Sequence, residues 1–233
     1  MKLITSKINL ERLSKGGKIM SNEVSTQKHY EQLITEGTDF YRDPPLLQKY
    51  MNRWTGEKFI DFMELDNSKD VLEVGVGTGR IAQRVLDKGY KSFIGIDISP
   101  RTLKRAEQNL SKYKNIELIQ QDILNYKCQN RFDVVYSVLT FIHIENKELA
   151  IKNIVSSLTE NGVAIISFDN NKDSYLEYGN RKVKLFSVDI DLVISYFKEC
   201  GCIINNVLDL FDDNTTEKSK VATIIKVTKT VSN

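Results

Sequence analysis

The sequence predicts a doubly wound α/β fold: a mostly parallel, seven-stranded sheet, an antiparallel hairpin at one sheet edge and a helical segment in front of it. Two observations carry the prediction. From Asp70 onward, apolar runs of strand length at 70–75, 92–97, 115–119, 132–138 and 162–168 alternate with helical patterns at 78–88, 100–113 and 146–158. Strands separated by helices imply right-handed crossovers and hence a parallel sheet. Beyond a polar, aromatic stretch after Phe168, a helix near 188–200 is followed by strands near 202–210 and 219–228, with a turn at Asp212–Thr216 between them. Strands joined in that way pair antiparallel.

Taken in chain order, the first element is a basic stretch without a continuous apolar run, so it is not read as a secretory signal. The codons for Lys15–Met20 can resemble a bacterial ribosome-binding site, which makes Met20 the expected start. A pyrimidine ending the Gly16 codon of the natural gene would overturn that. Residues 1–19 are therefore expected to be a disordered or non-native leader, 20–66 a helical N-terminal segment and 67–233 the sheet domain. In the second part, Leu46, Leu47, Tyr50, Met51 and Trp54, then Phe59, Ile60, Phe62 and Met63, recur at helical spacing. Pro44-Pro45 breaks this segment, and proline is tolerated at a helix start. In the third part, Ser99-Pro100 reads as N-cap and first residue of a helix.

With 233 residues and 41% hydrophobic composition, the chain can bury one sizeable core. Its formal charge of +2 gives no electrostatic case for a nucleic-acid or membrane-surface protein. No apolar run approaches the roughly 20 residues that span a bilayer. Three cysteines and two histidines support neither a disulfide framework nor a zinc site, so no metal is expected and a reducing cytoplasm fits best.

The informative stretch is Val71–Arg80, VLEVGVGTGR. A strand that enters a helix through glycines brings backbone N–H groups close to a ligand. The dinucleotide fingerprint G-x-G-x-x-G fails here, because position 80 is Arg. The pattern is instead E-x-G-x-G-x-G, and it resembles motif I of the class I S-adenosylmethionine-dependent methyltransferases. The likeness continues through Ile94–Ser99, with Asp97 lying 22 residues after Gly75, then Gln121-Asp122-Ile123, Phe132–Val138 and Asn161–Ser167, in the family's order.

The resemblance implies a Rossmann-like fold and S-adenosylmethionine as methyl donor, with S-adenosylhomocysteine as product. It puts Glu73, Gly75, Val76, Gly77, Gly79, Asp97, Ile98, Asp122, Ile123 and Ser137 at that donor. Gly75, Gly77 and Gly79 would let the backbone touch the donor's amino-acid moiety. Glu73 would accept hydrogen bonds from loop N–H groups or attract the cationic methionyl end indirectly. Asp97 would accept the ribose hydroxyls, Ile98 would cover an adenine face, and Asp122 would sit near the adenine amine.

The acceptor side is less defined by sequence. The N-terminal segment folds over the cofactor as a lid in this family, so Tyr30 and Tyr41 are expected to join Thr140, Phe141 and Tyr178 in an acceptor pocket. Few apolar anchors in residues 23–45 imply a mobile lid. Tyr175 and Tyr178 flank Glu177 and could receive a cationic amine, or could simply pack. His143 could be a general base for a hydroxyl acceptor or could only shape the pocket; amine methylation needs no strong base, which favours the second. Asp43-Pro-Pro-Leu46 resembles the D-P-P-aromatic signature of base-modifying methyltransferases, but it precedes the sheet and lacks the aromatic, so it is a helix-entry turn. The expectation is methyl transfer to N or O of a small molecule or short peptide. The alternatives are an RNA or protein methyltransferase, or a cofactor-binding sensor without turnover.

Overall fold

The computed structural model describes residues 21–56, 58–212 and 219–231. The expectations for residues 1–19, for Met20 as start and for most of the Asp212–Thr216 turn lie outside them. The described chain opens with a short strand, β1 (Asn22–Val24), and three helices, α1 (Thr26–Thr35), α2 (Pro45–Met51) and α3 (Lys58–Asp61). Pro44 is the N-cap of α2 and Pro45 its first residue, so the Pro-Pro pair is a helix entry.

The alternating region follows as β2 (Asp70–Val74), α4 (Arg80–Leu86), β3 (Ser92–Asp97), α5 (Pro100–Asn109), β4 (Ile116–Gln120), β5 (Phe132–Val138), α6 (Lys147–Ser157) and β6 (Leu158–Asp169). The remainder is β7 (Tyr175–Tyr178), β8 (Arg181–Lys184), α7 (Ile190–Glu199), β9 (Cys202–Asp212) and β10 (Ser219–Lys229). Seven strands form one sheet in the order β4-β3-β2-β5-β6-β10-β9, parallel except for β10, which runs antiparallel to both β6 and β9. Apolar side chains bury on both faces. Leu72, Ile94 and Val135 pack with α6 and α7 residues such as Ile154 and Phe197, while Val71, Phe93 and Val134 pack with Val85, Leu103 and Phe59. Strands buried on both faces read as near-continuous apolar runs, which is why the sequence displays them so clearly.

Short polar side chains start the helices. The Ser99 hydroxyl accepts from the Thr102 N–H at 3.2 Å ahead of Pro100, and Asn146 and Asp189 cap α6 and α7 in the same way. Helix α4 begins two residues later than the expected 78, because Gly79 still holds a left-handed φ of 91°.

The N-terminal segment is not wholly helical. Strand β1 pairs parallel with β8, and β8 pairs antiparallel with β7, giving a second sheet in the order β1-β8-β7. The stretch after the fifth parallel strand and the N-terminal segment thus form one small sheet rather than two separate candidates for a cover.

Candidate functional site

The chain order places β3 and β4 on one side of β2 and β5 on the other, so the strand order reverses between the parallel neighbours β2 and β5. A crevice opens outside the carboxyl ends of strands at such a point. Two loops meet there, 75–79 after β2 and 139–140 after β5. Gly75, Gly77 and Gly79 have φ values of 79°, 56° and 91°, a region that residues with a Cβ rarely adopt. The N–H groups of Gly75 and Val76 donate to the Ile96 carbonyl at 2.8 and 3.0 Å, and the Gly77 N–H donates to Asp97 Oδ2 at 3.0 Å. The loop is thereby tied to the end of β3.

The three glycines have different reasons to lack side chains. A Cβ on Gly75 would stand 2.0 Å from Thr140 Oγ1, and one on Gly79 would stand 2.9 Å from Leu110 Cγ. A Cβ on Gly77 would meet nothing within 4 Å. Two of them therefore make room for the protein itself, and only Gly77 opens onto free space. Of the two roles expected for Glu73, acceptance from the loop N–H groups is not what the structure has. It is 2% exposed, and its carboxylate accepts from the Tyr136 hydroxyl at 2.7 Å, while the loop N–H groups are taken by Ile96 and Asp97. Burial raises the Glu73 carboxyl well above its usual range. Burial also raises Asp97, opposed by N–H donors from Ser99, Gly77 and Ile98.

The crevice is a cavity of about 700 Å³, within the range of small-molecule sites. From the β2 and β3 ends it is lined by Glu73, Gly75, Val76, Gly77, Asp97 and Ile98, and from the β4 end by Asp122 and Ile123. Thr140 and His143 line it from the β5 side, and Tyr30 lines it from α1. The structure brings these eleven sequence-selected residues together. Five others stand outside the lining. Gly79 packs on Leu110. Ser137 is fully buried and donates to the Val74 carbonyl at 2.8 Å. Phe141 is a core residue, with its ring edge-on to Phe168 at 5.0 Å. Tyr41 uses its backbone N–H toward Asp39 and Thr78, and it is half-buried against the hydrophobic cluster that holds Val71 and Phe93. Tyr178 lies in β7 with the Arg181 guanidinium 4.7 Å from its ring centroid, and Tyr175 has Lys182 Nζ at 4.2 Å. Each of the two rings expected to receive an amine thus already has one of the chain's own cations over it.

The wall opposite the glycines is built on α1. The Tyr30 hydroxyl and His143 Nε2 lie 2.9 Å apart with their rings perpendicular. Burial, with His29 nearby, lowers His143 to about 4, and burial raises the Tyr30 phenol. His143 is therefore a neutral imidazole at neutral pH. Helix α1 is held to the small sheet by Arg181, which donates Nε to His29 Nδ1 at 3.0 Å and both terminal nitrogens to Glu36 at 2.6 and 2.8 Å. It is held to α5 where Arg101 donates to the Thr35 hydroxyl at 2.8 Å, and the segment after it is held there through Asp39, which receives Asn109 at 3.1 Å and Arg105 at 3.2 Å. Ser25, Thr26 and Gln27 at the start of α1, together with Phe40 and Arg80, also line the cavity. Sequence reasoning had no signal for Ser25–Gln27, because pairing of β1 with a distant β8 is what places them.

Comparison with known proteins decides the family. A methyltransferase-domain model matches residues 65–188, just over half of the chain. The chain belongs to the class I S-adenosylmethionine-dependent methyltransferases. A malonyl-[acyl-carrier protein] O-methyltransferase of Ilyobacter polytropus is 30% identical over 170 residues, which are 72% of this chain and 63% of that protein. The chain thus spans less than two thirds of that relative's length. Among solved structures, the N-methyltransferase NodS from Bradyrhizobium japonicum, in complex with S-adenosylhomocysteine, superposes with a TM-score of 0.65 at 17% identity, covering 88% of this chain and 98% of that one. A methyltransferase from Mesorhizobium loti gives 0.61 at 13% identity, covering 76% and 100%. At those identities the likeness is one of fold.

The methyltransferase cavity fits the family's donor. The space beyond Gly77 is a cradle that a Cβ would fill, and a half-buried carboxylate, Asp97, stands beside it. Among the described residues no group of His, Cys, Asp and Glu could hold a metal ion, and no helix is long and apolar enough to cross a membrane.

Proposed function

We propose that this chain binds S-adenosylmethionine at the β2–β5 switch point and transfers its methyl group to a small-molecule acceptor entering beneath α1. The observation that carries the reading is the glycine loop: its one unfilled position, Gly77, faces a cavity whose adjoining wall holds the half-buried Asp97 carboxylate. Asp97 would hold the ribose hydroxyls, Asp122 and Ile123 the adenine, and the backbone at Gly77 the amino-acid moiety. The donor sulfonium supplies an already activated methyl group. What remains for the protein is to align the acceptor and exclude water. Thr140, His143 and Tyr30 would do the aligning, and α1 with its small sheet would do the excluding.

Near-neutral charge weighs against an RNA acceptor. Methyl transfer to a protein, or cofactor sensing without turnover, remains the competing reading. The test is calorimetric titration with S-adenosylhomocysteine, followed by a broad acceptor screen that reads its formation. Binding without turnover on any acceptor would favour a sensor; no binding would overturn the proposal.

A further inference from the structure

We propose that Arg80, held by Asn52 at the end of α2, is the anion-binding residue of the cavity and receives a carboxylate of a bound ligand. This rests on the methyl-transfer reading above and adds the residue that holds an acidic group in the same cavity.

The argument begins with a cation that lacks a counter-ion. Arg80 is the first residue of α4, and a second guanidinium, Arg84, follows one turn later. The two converge on one neutral atom. Arg80 donates an Nη1–H to Asn52 Oδ1 at 2.9 Å, and Arg84 donates to the same oxygen and to Thr55 Oγ1, each at 3.3 Å. Like charges four residues apart on a helix repel. Among the described residues neither guanidinium forms an ion pair, and Arg80 has no other hydrogen bond. A guanidinium has more N–H donors than the single group used here.

Arg80 is half-buried, and burial, with Arg84 nearby, lowers it to about 10, so it remains charged at neutral pH. Two carboxyls act on it only through space. Glu73 accepts from Tyr136, and Glu73 and Asp43 are both raised by burial, which weakens them as counter-charges. A partly buried cation without a partner is costly, and an anion brought by a ligand offsets that cost.

The position suits a ligand. Arg80 lines the cavity, and so does Met51, the residue before Asn52, so the cavity reaches the place where the guanidinium is held. No other described residue of the lining is Arg or Lys, and His143 there is neutral. The glycine loop does not compete for an anion with the N–H groups of Gly75, Val76 and Gly77, which are committed to Ile96 and Asp97. Two bound molecules can bring a carboxylate. The donor's amino-acid moiety ends in one, and the reading above puts that moiety at Gly77, three residues before Arg80. An acceptor with an acid group is the other source. In either case the planar guanidinium can take both oxygens at once, which an ammonium cannot.

The test is calorimetry on the full chain, in two arms. The first compares S-adenosylhomocysteine with its decarboxylated analogue, which keeps the amine. The parent chain should prefer S-adenosylhomocysteine by at least about tenfold, and Arg80→Gln should remove the preference by weakening that ligand alone. The second arm uses the chain saturated with S-adenosylhomocysteine and compares hexanoate and benzoate with hexanamide and benzamide. A preference for the acids that Arg80→Gln abolishes would make the acceptor the source. Loss of preference in either arm supports the proposal, and the arm names the source. Where Arg80→Gln does not fold, Arg80→Lys decides: it keeps the charge without the planar fork, should lower the preference, and overturns the proposal if the preference is undiminished. Arg84→Gln, which breaks bonds to Asn52 from outside the lining, should move the thermal midpoint more than the preference. The proposal falls if the parent chain prefers the acid in neither arm. It falls equally if Arg80→Gln leaves every preference intact, as a purely structural arginine would by weakening both members of a pair alike. A folded parent chain that binds neither S-adenosylhomocysteine nor its analogue would instead overturn the methyl-transfer reading beneath it.

Discussion

Arg181 reaches from β8 to α1 and grips Glu36 with both terminal nitrogens, at 2.6 and 2.8 Å, while its Nε donates to His29. The Arg181 side chain is 6% exposed and that of Glu36 is 44% exposed. Removing the arginine would leave a carboxylate that water can reach and an imidazole nitrogen that it cannot. Arg181→Met is therefore expected to loosen α1 rather than unfold the sheet domain. Hydrogen exchange should accelerate across residues 26–36 while amides of β2 and β5 keep their protection. Equal exchange in both chains would show that α1 is held by other contacts.

The two cavity-facing glycines separate folding from binding. Gly75→Ala would push a Cβ against Thr140 and also hold alanine at a left-handed φ, a conformation that costs roughly 1–2 kcal/mol on its own. Its thermal midpoint should drop, and Thr140→Gly should restore part of the loss. Gly77→Ala carries only the conformational cost, because nothing lies within 4 Å of its Cβ position. It should stay folded yet lose S-adenosylhomocysteine affinity. Denaturation midpoints and calorimetry on the same pair decide it, and the idea fails if Gly77→Ala binds as well as the parent chain.

Asp97→Ala should weaken S-adenosylhomocysteine by at least about tenfold. Charge-assisted hydrogen bonds are worth about 1.5–3 kcal/mol each, and roughly 1.4 kcal/mol is a factor of ten. Because Asp97 also receives the Gly77 and Ser99 N–H groups, Asp97→Asn should recover part of the loop order without the charge. Unchanged affinity in the folded alanine variant would refute the assignment.

Both histidines make stability depend on pH in a defined direction. Burial, with Arg181 nearby, lowers His29 from 6.5 to about 4, and burial lowers His143 to about the same value. Below pH 6.5 the unfolded chain takes up protons that the folded chain refuses. Their contribution is thus complete above pH 6.5, declines as pH falls toward 4, and is level below that. Glu73 and Asp97, raised by burial, pull the other way, so the informative quantity is the difference from the variant with both His29→Gln and His143→Gln. Urea denaturation should show that difference shrinking, or reversing, between neutral and mildly acidic pH. A constant difference would mean that the rings titrate normally.

The large sheet was legible because its strands are buried on both faces and its turns use glycine, proline and short polar caps. Predicted and observed limits agree closely for β3 and β5. The small sheet was less visible, although Gly179-Asn180 between two four-residue runs is a hairpin signal. Strand β1 has only three residues, too few for any period to register. At the site, the sequence picked out residues that the structure brings to one cavity, but it carried no sign that Gly75 and Gly79 also make room for Thr140 and Leu110, or that Glu73 accepts from Tyr136. Such contacts depend on which neighbour the fold supplies, and local sequence does not carry that.

The parallel pairing of Asn22–Val24 with Arg181–Val183 has a consequence for how the chain is made. A ribosome delivers residues 22–36 first, and their strand partner leaves the exit tunnel after the core strands through β6. Until then β1 has no ladder, Glu36 lacks the Arg181 guanidinium and α1 has its contacts with α5 but none with the small sheet. If the strands through β6 pair as they emerge, the loops after β2 and β3, which we propose hold the donor, can form on the nascent chain while the roof above them waits. Methyl-donor binding during synthesis would thus precede the ability to enclose an acceptor, and a chain arrested before residue 181 would bind without shielding what it binds.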